Sequence, residues 1–293
     1  MKGYKGFEKG LICKGKQYAE NTVFEEDNAV ICSSGMHFCV NPFDVLDYYD
    51  LINVKGELND FAEVEALDEC FTDDNKKYCT KKLKVGAKLS LSGFIKACVD
   101  FVIEKTTTEM PKSKIDSNDE SIISSKKNSA QIGSSGGYAQ IGSSGYSAKI
   151  GSSGYSAKIG SSGYSAKIGS SGDYAQIGSS GDYAQIGSSG YSAQIGSSGD
   201  SAQIGSSGDY AQIGSSGDYA QIDSTGEDSV ICCAGNNSIV KAKKGSWITL
   251  AEWEYSDEKH RNVPICVKTE FVDGERIKAD TFYKLVDGEF KVV

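Results

Sequence analysis

Proline is scarce, three in 293 residues, which excludes a proline-rich spacer or a collagen. No apolar run approaches the ~18–20 residues that cross a bilayer, so no membrane association is expected. Residues 1–16 alternate Lys, Gly and apolar side chains without the apolar stretch of a leader, which points away from secretion. None of the nine cysteines forms a Cys-x-x-Cys pair. Read with the missing leader, they are expected to be reduced thiols in a cytoplasm. Positive charge is also short, 31 Lys+Arg against 40 Asp+Glu. Non-specific phosphate binding needs clustered basic residues, so direct nucleic-acid binding is not expected.

Glycine, by contrast, is abundant at 34 residues, and it is periodic. Isoleucine recurs every ninth residue from Ile132 through Ile141, Ile150, Ile159, Ile168, Ile177, Ile186, Ile195, Ile204 and Ile213 to Ile222. Ile123 precedes the series in register, and Ile231 and Val240 continue it. The unit runs Asp173-Tyr174-Ala175-Gln176-Ile177-Gly178-Ser179-Ser180-Gly181. Two glycines per unit would cost a helix about 2 kcal/mol relative to alanine. The stretch Tyr-Ala-Gln-Ile instead reads as a strand, with Ala and Ile on one face, and Gly-Ser-Ser-Gly reads as the corner. Nine residues reach at most ~30 Å, too little to close one coil. Two units, 18 residues, are therefore assigned to each coil. Ile132, Ile150, Ile168, Ile186, Ile204 and Ile222 should stack on one wall, and the other five on the opposite wall. Five to seven coils at about 4.8 Å make a rod roughly 25–35 Å long.

The rod's surface supplies the candidate binding residues. Tyr146, Tyr155, Tyr164 and Tyr191 lie four before an isoleucine; Tyr138, Tyr174, Tyr183, Tyr210 and Tyr219 lie three before one. Such a series suits a stacked ladder and, where exposed, a rigid contact surface. Lys149, Lys158 and Lys167 complete the expected surface set. The repeat's aspartates sit one place early for the calcium-binding nonapeptide pattern and are missing from half the copies, so no calcium is expected.

Outside the repeat, residues 4–7, 30–32, 36–40 and 61–66 read as strands. Asn41-Pro42-Phe43-Asp44 reads as a helix start that places Val45, Leu46 and Tyr49 along one face. A second helix is expected over residues 92–105, with Phe94, Cys98 and Phe101 at helical spacing. Cys32, His37 and Cys39 are weak candidates for zinc, because Cys-x4-His-x-Cys is not a standard spacing and a fourth ligand is not evident. His37 with Cys39 is a weaker nucleophile pair, the two being too close along one strand. His260 falls in a charged, solvated stretch. After the repeat, residues 247–255, 265–271, 281–286 and 290–293 read as strands, with Asp273-Gly274 and Asp287-Gly288 as hairpin signals. An antiparallel cap there would protect the open edges of the last coil.

The pattern Tyr4-Lys5-Gly6-Phe7, Cys13, Tyr18, Ser34-Gly35-Met36-His37-Phe38-Cys39, Asn41-Pro42, Asp44-Val45-Leu46-Asp47-Tyr48-Tyr49 and Ala62-Glu63-Val64-Glu65-Ala66 resembles an uncharacterised domain family. That family is encoded largely in phages and prophages and is often fused to Gly-Ser-Ser-Gly repeats. The resemblance implies a phage accessory protein acting in the bacterial host cytoplasm, and no activity. Looser similarity links Tyr4-Lys5-Gly6-Phe7, His37-Phe38-Cys39 and Glu63-Val64-Glu65 to small ADP-ribosyltransferases of the rifampin-modifying type. Lys5 and His37 replace the residues that would hold the nicotinamide ribose and ring.

The expected architecture is mainly β: an α+β head over residues 1–105, a linker over 106–121, a parallel β-solenoid over 122–245 and a small antiparallel β cap over 246–293. The expected function is non-enzymatic binding, without a cofactor. The partner would be a bacterial host protein or protein complex, an antiviral defence component inhibited by occlusion or sequestration. Homo-oligomerisation is left open. The rivals are an ADP-ribosyltransferase-like head and a virion or scaffold component.

Overall fold

The computed structural model describes all residues except 54–56 and 110–120. The chain divides into two compact units, residues 1–101 and 102–293. The second is dominated by a β-solenoid of about seven turns over residues 122–250, and antiparallel sheets stand at both ends of the chain.

In the solenoid the nine-residue period becomes two parallel walls. Strands Gln131–Ser134, Lys149–Ser152 and Lys167–Ser170 and their successors pair Ile132 with Ile150, Ile150 with Ile168, and so on to Ile222 and Val240. Strands Gln140–Ser143, Lys158–Ser161 and Gln176–Ser179 and their successors do the same for Ile141, Ile159 and Ile177 through Ile231. Ile123 joins this wall opposite Ile141. The 18-residue coil and the two isoleucine columns are thus as the spacing requires. The isoleucines and the alanines two places before them fill the interior.

The frame of each strand differs from the expected one. It begins at the Gln or Lys before isoleucine and runs through Gly-Ser, so the extended segment is Gln-Ile-Gly-Ser, not Tyr-Ala-Gln-Ile. The residue three before each isoleucine from Ile150 to Ile222 is left-handed, with φ of 52° at Ser147, 55° at Tyr174 and 57° at Tyr219. A residue in that conformation cannot continue an extended strand, and the corner therefore falls at Ser-Gly-Asp-Tyr. The second glycine of Gly-Ser-Ser-Gly is required by stacking. A Cβ on Gly190 would sit 1.9 Å from the Gly172 carbonyl oxygen of the preceding coil, and one on Gly181 would sit 2.1 Å from that of Gly163. On the wall of Lys158 and Gln176 the first glycine is outside the packing, and a Cβ on Gly178 or Gly196 meets nothing within 4 Å; on the other wall the corresponding Gly151, Gly169, Gly187 and Gly205 are buried.

Aspartates stitch successive corners together. Asp173 Oδ1 accepts from Tyr191 N–H at 2.8 Å, Asp200 Oδ1 from Asp218 N–H at 2.8 Å, and Asp218 Oδ1 from Asn236 N–H at 2.8 Å. In the first coils the inward serine turns its hydroxyl to the corner, as where Ser152 Oγ accepts from Gly154 N–H at 3.3 Å; further along, the hydroxyls of Ser170, Ser179, Ser188, Ser197, Ser206 and Ser215 are buried without a hydrogen-bond partner among the described residues.

Each wall ends in an antiparallel hairpin or partner. Trp247–Ser256 continues one wall in parallel with Val230–Cys233 and then pairs with Arg261–Phe271. Tyr283–Val286 closes the other against Ile239–Lys241 and pairs with Glu289–Val292. Asp287 and Gly288, both at positive φ, make the expected tight turn. Asp273-Gly274 does not make a hairpin; Asp273 Oδ1 instead accepts from the N–H groups of Glu275 and Ile277 in a loop.

The head is a seven-stranded antiparallel sheet in the order Thr22–Glu25, Lys82–Leu89, Asp60–Ala66, Lys2–Phe7, Met36–Cys39, Lys77–Thr80, Cys70–Phe71. Phe7, Met36, Phe38, Val64 and Leu83 form a core on one face. Phe61 stacks on Phe94 of the helix Leu91–Glu109, ring centroids 3.9 Å apart. That helix runs four residues into the expected linker, whose residues 110–120 lie outside those described. Asn41 caps the first helix as expected, Oδ1 accepting from Phe43 N–H at 3.0 Å, yet the helix stops after Pro42–Val45. Residues 30–32 are a turn, closed by a bridge between Val30 and Ser34 with Cys32 left-handed, because Cys32 cannot remain extended at that φ. No helix among the described residues is long and apolar enough to cross a membrane.

Candidate functional site

The tyrosines fall into two ladders. Along one corner, Tyr138, Tyr155, Tyr174, Tyr191 and Tyr210 follow one another with ring centroids 6.4, 5.2, 6.0 and 5.1 Å apart. Along the opposite corner, Tyr146, Tyr164 and Tyr183 are 5.2 and 5.1 Å apart, then Ser201 interrupts before Tyr219. The alternation between three and four residues before isoleucine does not break a ladder, since both positions overhang the same corner. Where tyrosine occupies the left-handed place, aspartate takes the place before it and caps the next coil. All nine rings remain 42–56% exposed.

The three lysines do not form one surface row. Lys158 is exposed on one wall, whereas Lys149 and Lys167 pair in register on the other and are buried. An odd number of nine-residue steps changes wall, so adjacent copies cannot share a face. Between the corners, the wall bearing Lys158 presents a shallow trough floored by Gly160, Gly178 and Gly196 and flanked by Gln176 and Gln194. It passes at its far end into half-exposed Val230 and Trp247.

The head holds a cavity of about 320 Å³. Its floor is Lys5, buried on the strand Lys2–Phe7, with Nζ donating to the His37 carbonyl at 2.9 Å and lying 3.5 Å from Cys13 Sγ. Tyr49 Oη donates to the same sulfur at 3.0 Å. The hairpin Ile12–Cys13 and Lys16–Gln17, turned by left-handed Lys14 and Gly15, brings Lys14 and Lys16 to the cavity. Lys77 enters from Lys77–Thr80, with Nζ 3.1 Å from Cys32 Sγ and 4.5 Å above the Tyr48 ring. Burial lowers the Lys5 pKa, partly offset by Cys13. Burial likewise lowers that of His37, and Lys5, Lys77 and Lys14 push it the same way. Burial raises the Tyr18 and Tyr49 phenols.

Cys32, His37 and Cys39 all line this cavity, but they form no metal-holding group, and none occurs among the described residues. His37 Nε2 accepts from Cys32 N–H at 3.1 Å, which occupies that lone pair. Burial pushes the Cys39 thiol up to about 12, the wrong direction for a thiolate ligand or nucleophile. Glu63 is exposed and Glu65 half-exposed, and neither lines the cavity. His260 is exposed at a hairpin end. Sequence reasoning touches Lys5 only through the transferase similarity and misses the cavity's other lysines. Lys14-Gly15, a two-residue hairpin signal beside Cys13, is the one clue to them; Lys77 carries none, as only the sheet order brings it near.

Residues 1–97 match a family described as a domain of unknown function (DUF7666). Comparison with curated proteins and with solved structures gave no match.

Proposed function

We propose that the chain is a non-enzymatic binding protein and that the solenoid's tyrosine ladders are its contact surface. The observation that carries this reading is the combination of register and exposure: rings held about one coil apart, each half-open to solvent. Tyrosine offers large contact area at low entropic cost, and the stacked coils fix its spacing before any partner arrives. The partner class is a bacterial host protein or protein complex, engaged in the host cytoplasm by occlusion or sequestration. The phage setting and the defence-component target rest on the head's sequence resemblance alone.

The test uses the pair Asp200-Ser201, which already occupies one corner without tyrosine. A fourfold variant, Tyr174→Ser, Tyr183→Ser, Tyr210→Ser and Tyr219→Ser, copies that pair and should retain the solenoid's circular dichroism. Full-length protein is expected to retain a specific host protein from bacterial lysate, and the variant to lose it. Equal retention by both, or none by either, overturns the reading. So does transfer of label from NAD to lysate protein that Glu63→Gln or Glu65→Gln abolishes.

A further inference from the structure

We infer that the head cavity is a binding site for a small organic phosphate, between a sugar phosphate and a mononucleotide in size. Lys5 is the reason. Its side chain is 5% exposed, and its ammonium contacts a carbonyl, a sulfur and the rings of Phe7 and Tyr18, at 5.3 and 5.6 Å, but no carboxylate among the described residues. A buried ammonium without a counter-charge is costly to keep. An anion arriving from solvent supplies one.

The rest of the cavity leans the same way. Its lining includes Lys14, Lys16 and Lys77 and a single acidic residue, Glu26. Both oxygens of Glu26 are already engaged: Oε1 lies 2.7 Å from Lys16 Nζ, and Oε2 accepts from Gly35 N–H at 3.1 Å. Lys16 is thereby neutralised; among the described residues Lys5, Lys14 and Lys77, which face the same space, form no salt bridge, and only Lys77 has a nearby carboxylate, that of Asp74, acting on it from outside the lining. The three lysines also act together on His37, whose protonated form they disfavour. Lysines converging on a pocket are point-charge donors suited to a phosphate's oxygens. The volume, about 320 Å³, lies at the small end for ligand sites. Tyr18, Tyr48 and Tyr49 line it beside the lysines and offer ring faces and hydroxyls to a sugar or base.

The experiment is isothermal titration of the full chain, at constant ionic strength, with inorganic phosphate, ribose 5-phosphate and adenosine monophosphate, and with ribose as the uncharged control. Saturable one-site binding of at least one organic phosphate, more tightly than inorganic phosphate and with ribose silent, is expected. Lys5→Met should weaken it about tenfold or more, the worth of one charge-assisted hydrogen bond. Lys14→Asn, at an exposed left-handed position that asparagine tolerates, should weaken it several-fold without moving the melting temperature. Absence of saturable binding by any of the three phosphates overturns the inference, as does inorganic phosphate binding as tightly as the organic ones. So does binding that survives both substitutions. The solenoid fourfold variant should bind the phosphates unchanged, which separates this outcome from that of the contact-surface reading.

Discussion

The solenoid and the head enclose apolar side chains and pair their backbone groups in opposite ways. The solenoid repeats one solution: an isoleucine, an alanine and a corner glycine, each stacked on its own copy 18 residues away. The head uses each residue once. Phe61 meets Phe94, Asp60 meets a loop, and Lys5 meets a cavity. Repetition gives the solenoid a long surface at fixed spacing. Irregularity gives the head a place where four lysines can converge. A repeating unit is suited to presenting a surface and a non-repeating one to enclosing a ligand, and each region can be probed by what the other lacks.

The largest expected effect is at the corner glycine. Gly190→Ala drives a Cβ to 1.9 Å from the Gly172 carbonyl oxygen and 2.5 Å from its carbon, a backbone collision that only separation of the coils relieves. A loss of about 4 kcal/mol or more is expected. Gly178→Ala, twelve residues earlier in the other glycine position, has open space around it and should gain about 0.5 kcal/mol by restricting the unfolded chain. Chemical denaturation followed by circular dichroism measures both. Similar effects at the two sites would mean that the coils do not stack as described.

Next come the aspartates, which each region uses to tie backbone together. Asp60 is buried; its Oδ2 accepts from Gly10 and Leu11 N–H at 2.8 and 3.0 Å, and Oδ1 lies 2.8 Å from Lys88. Asp60→Ala should cost about 2–3 kcal/mol, since buried donors lose their acceptor. Asp218, half-exposed, holds one N–H, and Asp218→Ala should cost about 1 kcal/mol, as a lost helix cap does. Melting temperatures give the ranking, and the reverse order would break the contrast.

Much of the solenoid is legible in the sequence because its core is an uninterrupted count. The spacing from Ile132 to Ile222 is enough to set the coil length and the two walls. The strand frame is not legible, for a physical reason. Sequence rules give the left-handed place to glycine, yet here glycine is needed two residues earlier, where the preceding coil's carbonyl excludes a Cβ. The left-handed place therefore falls to Ser147 or Tyr174, at about 1–2 kcal/mol each, offset by bonds such as Ser147 N–H to the Tyr164 carbonyl at 2.8 Å. In the head, Asn41-Pro42 is readable because a cap is local. The cavity is not, because Lys5, Lys14 and Lys77 meet only through the sheet order.

A smaller effect appears where the repeat departs from itself. Asp223 stands where Gly205 stands one coil earlier and is fully buried. Lys241 Nζ lies 2.6 Å from Oδ2 in an ion pair, while Oδ1 has no hydrogen-bond partner among the described residues. Burial raises the carboxyl's pKa, and Lys241 only partly opposes it. The folded chain thus keeps this proton at pH values where the unfolded chain has released it. Stability should fall as pH rises from the ordinary carboxylate range through the raised folded value, and recover on acidification. Asp223→Asn should flatten that slope in pH-dependent melts. An unchanged slope would show that the carboxylate is paired well enough to stay ionised.

The smallest effect separates the ladder's interior from its end. Tyr174 faces two rings, Tyr155 at 5.2 Å and Tyr191 at 6.0 Å, whereas Tyr210 faces only Tyr191, at 5.1 Å, within its ladder. Aromatic pairs are worth about 0.5–1.5 kcal/mol, toward the low end when exposed. Tyr174→Ser should therefore cost about 1 kcal/mol and Tyr210→Ser about half that. Tyr18 in the head also has two ring neighbours, Phe7 at 5.3 Å and Phe24 at 4.7 Å, but it is buried. Tyr18→Ser should disturb its unit more than either ladder substitution, because it empties a core as well as breaking ring contacts. If Tyr174→Ser costs as much as Tyr18→Ser, the ladder is part of the solenoid's framework and its exposure to a partner loses its significance.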